Sequence, residues 1–275
     1  MTPLEPALYG RFCDLIYAQS GLSFDVRKAY FVERRIEQRI EEVGATSALD
    51  YYHSLRYGDD QNEMQMLCEV LTVNETYFFR EYQQLKIFAE HCLQETLQRK
   101  RACGDSHLHI WSAGCSTGEE PYTLAIILRE MVEDFERWNV GVSATDISRG
   151  VLQTARTALY GERSLKDVPT AYRQQYFRDE GNKSRVVPLV TRMVKFTHAS
   201  LLDDAGGRET GSQDFVFCRN VLIYLDDDAR RRVVERIYNA LRPGGYIFLG
   251  HSESVGRITS AFQLVRAADQ LVYRK

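Results

Sequence analysis

Between Ser112 and Pro121 the chain reads Ser112-Ala113-Gly114-Cys115-Ser116-Thr117-Gly118-Glu119-Glu120-Pro121, two glycines among small residues followed by an acidic pair. Glycines after a strand let a ligand come close to the backbone, as in nucleotide-binding α/β units. Gly114 and Gly118 do not make the dinucleotide fingerprint G-x-G-x-x-G, so a plain strand-to-helix turn stands as the alternative. Asp146 closes the run Val140-Gly141-Val142-Ser143-Ala144-Thr145-Asp146 one helix later. An acid there accepts hydrogen bonds from ribose hydroxyls, or else it caps the next helix. Cys115 has no His or Asp partner nearby in sequence and reads as packing rather than as a nucleophile.

Regular elements have to hold these residues. Leu108 and Ile110 alternate as a strand, while Leu124, Ile127, Leu128 and Met131 recur as a helix. Pro121 suits the first helical turn, where no N–H is lost. Phe215-Val216-Phe217-Cys218 reads as a buried strand ending in Arg219-Asn220. A helix over Arg230 to Leu241 is stopped by Arg242-Pro243-Gly244-Gly245, and Tyr246 to Gly250 is the next strand. Phe262 to Val265 with Gln270 to Tyr273 forms a closing hairpin. Residues from about 160 to 198 break the α/β rhythm, with β-like runs at Arg185-Val186-Val187 and Met193 to Phe196, and predict a small inserted β subdomain.

The first 75 or so residues are helical in pattern. Leu8, Phe12, Leu15 and Ile16 precede Gly21; Asp25 can cap a second helix marked by Ile36 and Ile40 and ended by Gly44. Arg27, Lys28, Arg34, Arg35 and Arg39 mix there with Glu33, Glu37, Glu41 and Glu42, as a solvated face or as a basic helix for an acidic partner. Two shorter helices follow at about 47–52 and 63–67. The segment Val73 to Glu81 reads as an extended linker, or as a cap (Asn74, Thr76) for a helix from Gln83 to about Gln98.

Composition narrows the classes. At 275 residues, with 44% hydrophobic and 27% charged, the chain is an ordinary globular sequence of one large or two smaller domains. A net charge of −3 gives no overall attraction to nucleic acid or anionic membrane. No apolar run approaches the roughly 20 residues of a membrane span, and the N-terminus has no signal-peptide pattern. Six scattered cysteines without a CxxC pair point to reduced thiols in a cytosol, not to zinc or disulfides.

Four motifs then carry a resemblance: Asn74-Glu75-Thr76-Tyr77-Phe78-Phe79-Arg80-Glu81, Trp111 to Tyr122, Phe217-Cys218-Arg219-Asn220-Val221-Leu222-Ile223-Tyr224 and Gly250-His251-Ser252-Glu253. Together they resemble CheR, the chemotaxis receptor glutamate O-methyltransferase family, over essentially the whole chain. The resemblance implies an all-α N-terminal receptor-docking domain at 1–78. A Rossmann-like class I methyltransferase domain follows at 79–275, carrying the β subdomain of about 160–198. It implies methyl transfer from S-adenosylmethionine to glutamates on chemoreceptor cytoplasmic helices, leaving S-adenosylhomocysteine. The enzyme is then cytoplasmic, reaches the membrane only through receptors and binds no nucleic acid.

By motif, Asn74, Thr76, Arg80 (at the methionine carboxylate), Glu119 and Asp146 (at the ribose) bind the cofactor. Ser200-Leu201 lies beside adenine, with Ser200 in place of the family's usual asparagine, and Arg219 and Asn220 lie beside the methyl donor. Arg34, Arg35 and Arg39 face acidic receptor helices, and Tyr224 lines the substrate entrance or packs in the core. A glutamate, with a pKa of about 4.3, is already a nucleophile at neutral pH, so no catalytic acid, base or metal is expected. Some relatives grip a receptor's C-terminal pentapeptide; the turn Asp179 to Lys183 lacks the glycine run associated with that grip, and pentapeptide-independent binding is expected. Two other readings compete. A base methyltransferase on this fold has Pro-Pro after the Asn, where Val221-Leu222 stands here. A cofactor-binding module without turnover would keep the same cofactor residues.

Overall fold

A computed structural model describes residues 4–58, 61–72, 75–203, 212–256, 258–268 and 270–275. Contacts divide the chain into Met1–Val73 with Leu222–Arg230, and Asn74–Val221 with Arg231–Lys275. None of the described helices is long and apolar enough to cross a membrane.

The first unit is built from α1 (Pro6–Ser20), α2 (Ala29–Val43), α3 (Ala48–Tyr57) and α4 (Gln61–Leu71). Local chemistry sets the ends. Pro6 opens α1, Gly21 ends it at φ 73°, and Ser47 caps α3 by accepting the Asp50 N–H. Asp25 caps only a short 3₁₀ turn before α2. Phe12, Ile16, Val32, Ile36, Tyr51 and Leu67 form the buried core. The segment after residue 221 joins this unit through an isolated bridge between Leu22 and Leu225 and through the Ser23 N–H given to the Tyr224 carbonyl at 2.8 Å.

Arg39 corrects a sequence expectation. It is not a docking residue on the surface: it is 7% exposed and its guanidinium grips Glu63 (Nε–Oε1 3.0 Å, Nη2–Oε2 2.5 Å) and Glu42. Tyr51 also donates to Glu63 at 2.6 Å. Charge alone does not say which side of a helix a residue takes. Arg39 lies three residues beyond the buried Ile36, on the same helical side.

In the second unit a broken helix leads in: α5 (Tyr82–Ile87), a π turn over Phe88–Cys92, and α6 (Leu93–Cys103). Continuous helix was expected here. The extra residue of the π turn accompanies Phe88 packed edge-on to Phe215, Phe217 and Phe248, with centroids 5.0 to 5.7 Å apart. Burying such a ring contributes about 1.5–3 kcal/mol.

The main strands are β1 (His107–Ala113), β2 (Asn139–Asp146), β6 (Val194–His198), β7 (Gln213–Cys218), β8 (Leu241–Leu249), β9 (Gln263–Ala267) and β10 (Gln270–Arg274). The seven-stranded order is β6-β2-β1-β7-β8-β10-β9, parallel except that β10 opposes β8 and β9. That is the doubly wound Rossmann plan closed by a hairpin, as in class I methyltransferases. A separate antiparallel sheet holds β3 (Leu159–Gly161), β4 (Phe177–Glu180) and β5 (Lys183–Val186). The remaining helices are α7 (Glu119–Met131), α8 (Arg149–Thr157), α9 (Glu162–Leu165), α10 (Thr170–Tyr176), α11 (Pro188–Thr191) and α12 (Asp227–Ala240).

The small sheet therefore ends at Val186, and the run from Met193 corrects the expected span. Val194–His198 pairs with β2 from Val142 to Asp146, with Val194 and Phe196 packed on Cys115, Ala144 and Leu152. Alternation of apolar residues names a strand's buried face but not the sheet it joins.

Arg39→Ala should destabilise the protein by about 3–5 kcal/mol, because it strands a buried carboxylate. Arg34→Ala, at an exposed position, should stay within about 0.5 kcal/mol. Urea denaturation of both variants checks this; equal small losses would contradict the buried pair.

Candidate functional site

The strand order reverses between β1 and β7, which is where open α/β sheets bind ligands. Gly114 follows β1 at φ 79°, and a Cβ built on it would lie 2.4 Å from Val221 Cγ2, just past β7. The two strand ends thus meet only because residue 114 is glycine. Gly118 ends the turn at φ 94°; its missing Cβ would sit 2.9 Å from both Ala155 Cβ and Tyr160 Oη. Tyr160 uses that space to donate to the Thr117 carbonyl at 2.6 Å.

Asp146 stands beside this turn. Its carboxylate accepts the Ser116 N–H at 2.8 Å and the Ser148 N–H at 2.9 Å, and the preceding Thr145 carbonyl accepts the N–H groups of Gly114 and Cys115. The acid at the end of β2 therefore shapes the glycine turn. The helix-cap role goes to Ser148, whose Oγ accepts the Val151 N–H. Cys115 is buried, and burial pushes its thiol well above the ordinary range, as a packing residue requires.

The acidic pair at the start of α7 divides its work. Glu119 accepts the hydroxyls of Thr117 (2.6 Å) and Ser164 (3.0 Å), about half of the positions a carboxylate offers. Glu120 accepts from Ser112 Oγ at 2.7 Å and faces Arg219 Nη1 at 3.2 Å. Burial raises both carboxyl pKa values, while hydroxyl hydrogen bonds to Glu119 and the Arg219 charge beside Glu120 oppose the rise.

Arg219 fastens the linker to this place. Its Nη2 donates to the Arg80 carbonyl at 2.6 Å and faces Glu81 at 3.3 Å. The linker is fixed further by Phe78 N–H to the Ser164 carbonyl at 2.9 Å and Phe79 N–H to Thr123 Oγ1 at 3.2 Å. Phe79 (φ 60°) and Glu81 (φ 59°) are left-handed, as are Ser116 (φ 48°) and Asn220 (φ 59°). Non-glycine residues take this conformation at a cost, and such strain gathers at functional sites. Glu81 starts α5 without a side-chain cap, so Thr76 is not its cap.

Of the expected site residues, Thr76, Arg80, Glu119, Asp146, Arg219 and Asn220 lie on these segments. Asn74 lies outside the described residues. Arg80 Nη1 donates to the Glu75 carbonyl at 2.6 Å, holding the linker's own bend. Ser200 Oγ accepts the Leu202 N–H at 3.1 Å in a local turn, and Arg236 binds the carbonyls of Ser200 and Leu201 at 3.3 Å each. Tyr224 belongs to the helical unit, where Lys28 lies 6.0 Å from its ring. The sequence did not single out Glu81, Glu120 or Ser116; the tandem acids at a helix start were the available signal.

The residues present suit S-adenosylmethionine. Ser116 Oγ in the glycine turn and Arg219 Nε at the end of β7 are buried with no hydrogen-bond partner among the described residues. They offer bonding groups beside a turn whose glycines leave room at the backbone.

Comparison with known proteins agrees. Residues 74–271 match the family model described as CheR methyltransferase, SAM binding domain, and residues 7–72 match CheR methyltransferase, all-alpha domain. The chain is 38% identical over 266 residues to Chemotaxis protein methyltransferase 2 of Vibrio cholerae serotype O1, covering 96% of this chain and 91% of that protein. It is 37% identical over 262 residues to Chemotaxis protein methyltransferase 2 of Pseudomonas aeruginosa, covering 94% and 89%.

Gly118→Ala should cost about 1–3 kcal/mol through overpacking against Tyr160 and α8, read by urea denaturation; unchanged stability would contradict the packing. Asp146→Ala should weaken S-adenosylhomocysteine binding roughly tenfold or more, since a charged acceptor of several hydrogen bonds is lost. Calorimetry giving wild-type affinity would remove Asp146 from the cofactor site.

Proposed function

The chain belongs to the CheR methyltransferase family and is an S-adenosylmethionine-dependent methyltransferase, and we propose that its acceptors are glutamate side chains on the cytoplasmic helices of chemoreceptors. The products are then glutamate methyl esters and S-adenosylhomocysteine. On this reading the enzyme works in the cytoplasm and meets the membrane only through receptors.

The observation that carries this reading is the exposed side of the helical unit. Val26, 83% exposed, lies on the 3₁₀ turn before α2, and Tyr30, 69% exposed, shares a face of α2 with the exposed Arg34 four residues on. Arg27 is exposed and paired with Asp25, while Arg35 lies over the Phe31 ring with its Cζ 5.4 Å from the centroid. Aromatic and aliphatic area flanked by arginine suits an acidic helix, where charge steers encounter and apolar contact gives residence. With Arg39 turned inward, docking falls to Arg34, Arg35 and their apolar neighbours.

Bound S-adenosylmethionine supplies a methyl group already activated on a sulfonium. The incoming carboxylate, ionised at neutral pH, needs no base from the protein. The protein's part is to hold and orient, a contribution that can reach roughly 7–11 kcal/mol. Arg80 and Thr76 from the linker, Ser116 and Glu119 from the glycine turn, and Asp146 from β2 hold the cofactor. Arg219 keeps linker and turn in register, and Asn220 stands at the end of β7 beside the methyl donor.

Incubation with labelled S-adenosylmethionine and receptor-bearing membranes should give base-labile label on the receptors. Label that resists base, or cofactor binding with no transfer, would contradict the proposal. Arg34→Glu should slow receptor methylation, most strongly at low salt, at unchanged S-adenosylhomocysteine affinity. Equal rates at every salt concentration would remove this face from docking.

A further inference from the structure

Asn220 and Gly250 end two neighbouring parallel strands, β7 and β8, and one carboxylate joins them. Glu253 Oε2 accepts the Asn220 N–H and the Gly250 N–H, each at 2.8 Å. The Glu253 N–H returns to the Gly250 carbonyl at 2.9 Å, so the acid is held by a closed turn. A carboxylate taking two backbone N–H groups makes strong, directional bonds. Such bonds suit a place where the chain must be kept from relaxing.

Asn220 is such a place, with its left-handed φ of 59°. A side chain in that conformation persists only where its surroundings over-determine it. Gly250 completes the fit: a Cβ there would lie 2.8 Å from Asn220 N, Asn220 Nδ2 and Glu253 Oε2 alike. The Asn220 carboxamide therefore lies over the Gly250 α-carbon, in space that only glycine leaves open. Gln84 Nε2 donates to the neighbouring Leu249 carbonyl at 2.7 Å and ties the same strand end to α5.

We infer that Glu253 is a positioning residue for methyl transfer: by bridging the Asn220 and Gly250 amides it holds Asn220 at the angle the reaction needs. The inference rests on the reading above that Asn220 stands beside the methyl donor. Glu253 acts through Asn220 and is not itself a cofactor ligand, so its loss should appear in kcat more than in cofactor affinity.

The test uses the full chain as Glu253→Ala, Glu253→Gln and Gly250→Ala. Glu253→Ala should lower kcat for receptor methylation about tenfold or more, with S-adenosylhomocysteine affinity within about twofold of wild type. Glu253→Gln keeps a carbonyl oxygen for both N–H groups and should recover most of the rate. Gly250→Ala, whose methyl would meet the same three atoms, should lower kcat as Glu253→Ala does. Wild-type kcat in Glu253→Ala would overturn the inference. So would rate loss that only follows loss of folded protein or of cofactor affinity, or a Gln variant no better than Ala. Amide hydrogen exchange at Asn220 and Gly250 needs no substrate: it should speed up in Glu253→Ala and slow again in Glu253→Gln. Unchanged exchange overturns the inference even if receptors prove not to be the acceptors, whereas a wild-type enzyme inactive on receptors with the expected exchange tells only against the receptor reading.

Discussion

A single buried guanidinium ties together the linker, the start of α7 and the end of β7. Arg219 leaves the end of β7 and meets the Arg80 carbonyl, Glu81 and Glu120, which belong to the linker and to the start of α7. Burying an arginine costs several kcal/mol unless charge and hydrogen bonds return it. Here two carboxylates and a carbonyl do so, and the Ser112 hydroxyl completes Glu120. The described part of the linker joins no strand; besides this cation it is held by its aromatic contacts, two amide bonds and the exposed Glu75–Arg163 pair. Position is the consequence: a segment distant in sequence is fixed against the turn that follows β1.

The second constraint is strain that the packing sustains. Left-handed Phe79, Glu81, Ser116 and Asn220 occur on the three segments that Arg219 and Asp146 bind together. Phe78 and Phe79 supply the support, Phe78 edge-on to Tyr160 and Phe177, Phe79 stacked on Tyr172. Tyr160 then reaches from the small sheet into the glycine turn. The three-stranded sheet thus braces the glycine turn as well as extending the fold. Under the proposed transfer to an ionised carboxylate, orientation is what the protein contributes, and this rigidity supplies it.

Much of this was legible in the sequence because local physics and tertiary need coincide. Gly21 and Gly44 end helices, alternation marks β1 and a continuous apolar run marks β7, while β8 begins at Leu241 and takes in the Pro243-Gly244-Gly245 expected to precede it. The glycine turn and Asp146 were visible by spacing, although the amide bonds that make Asp146 a shaper of that turn were not. Arg39 was misplaced because a charge mixed among glutamates reads as solvated until a partner, Glu63 on another helix, is known. Val194–His198 was assigned to the small sheet because an edge strand and a hairpin strand share one apolar alternation. The roles of Glu81, Glu120 and Glu253 rest on contacts to Arg219 and Asn220, tens of positions away, and only Glu120, in the tandem acids that start α7, carries a local signal.

We propose that linker, glycine turn and the ends of β2 and β7 form one cofactor site held by Arg219. Hydrogen exchange with and without S-adenosylhomocysteine tests it most directly. Saturating ligand should slow exchange together in peptides covering 75–81, 112–120, 144–148 and 217–221, and the linker peptide should lose that response in Arg219→Met. Protection confined to the glycine turn, or a linker response that survives loss of Arg219, would contradict the account.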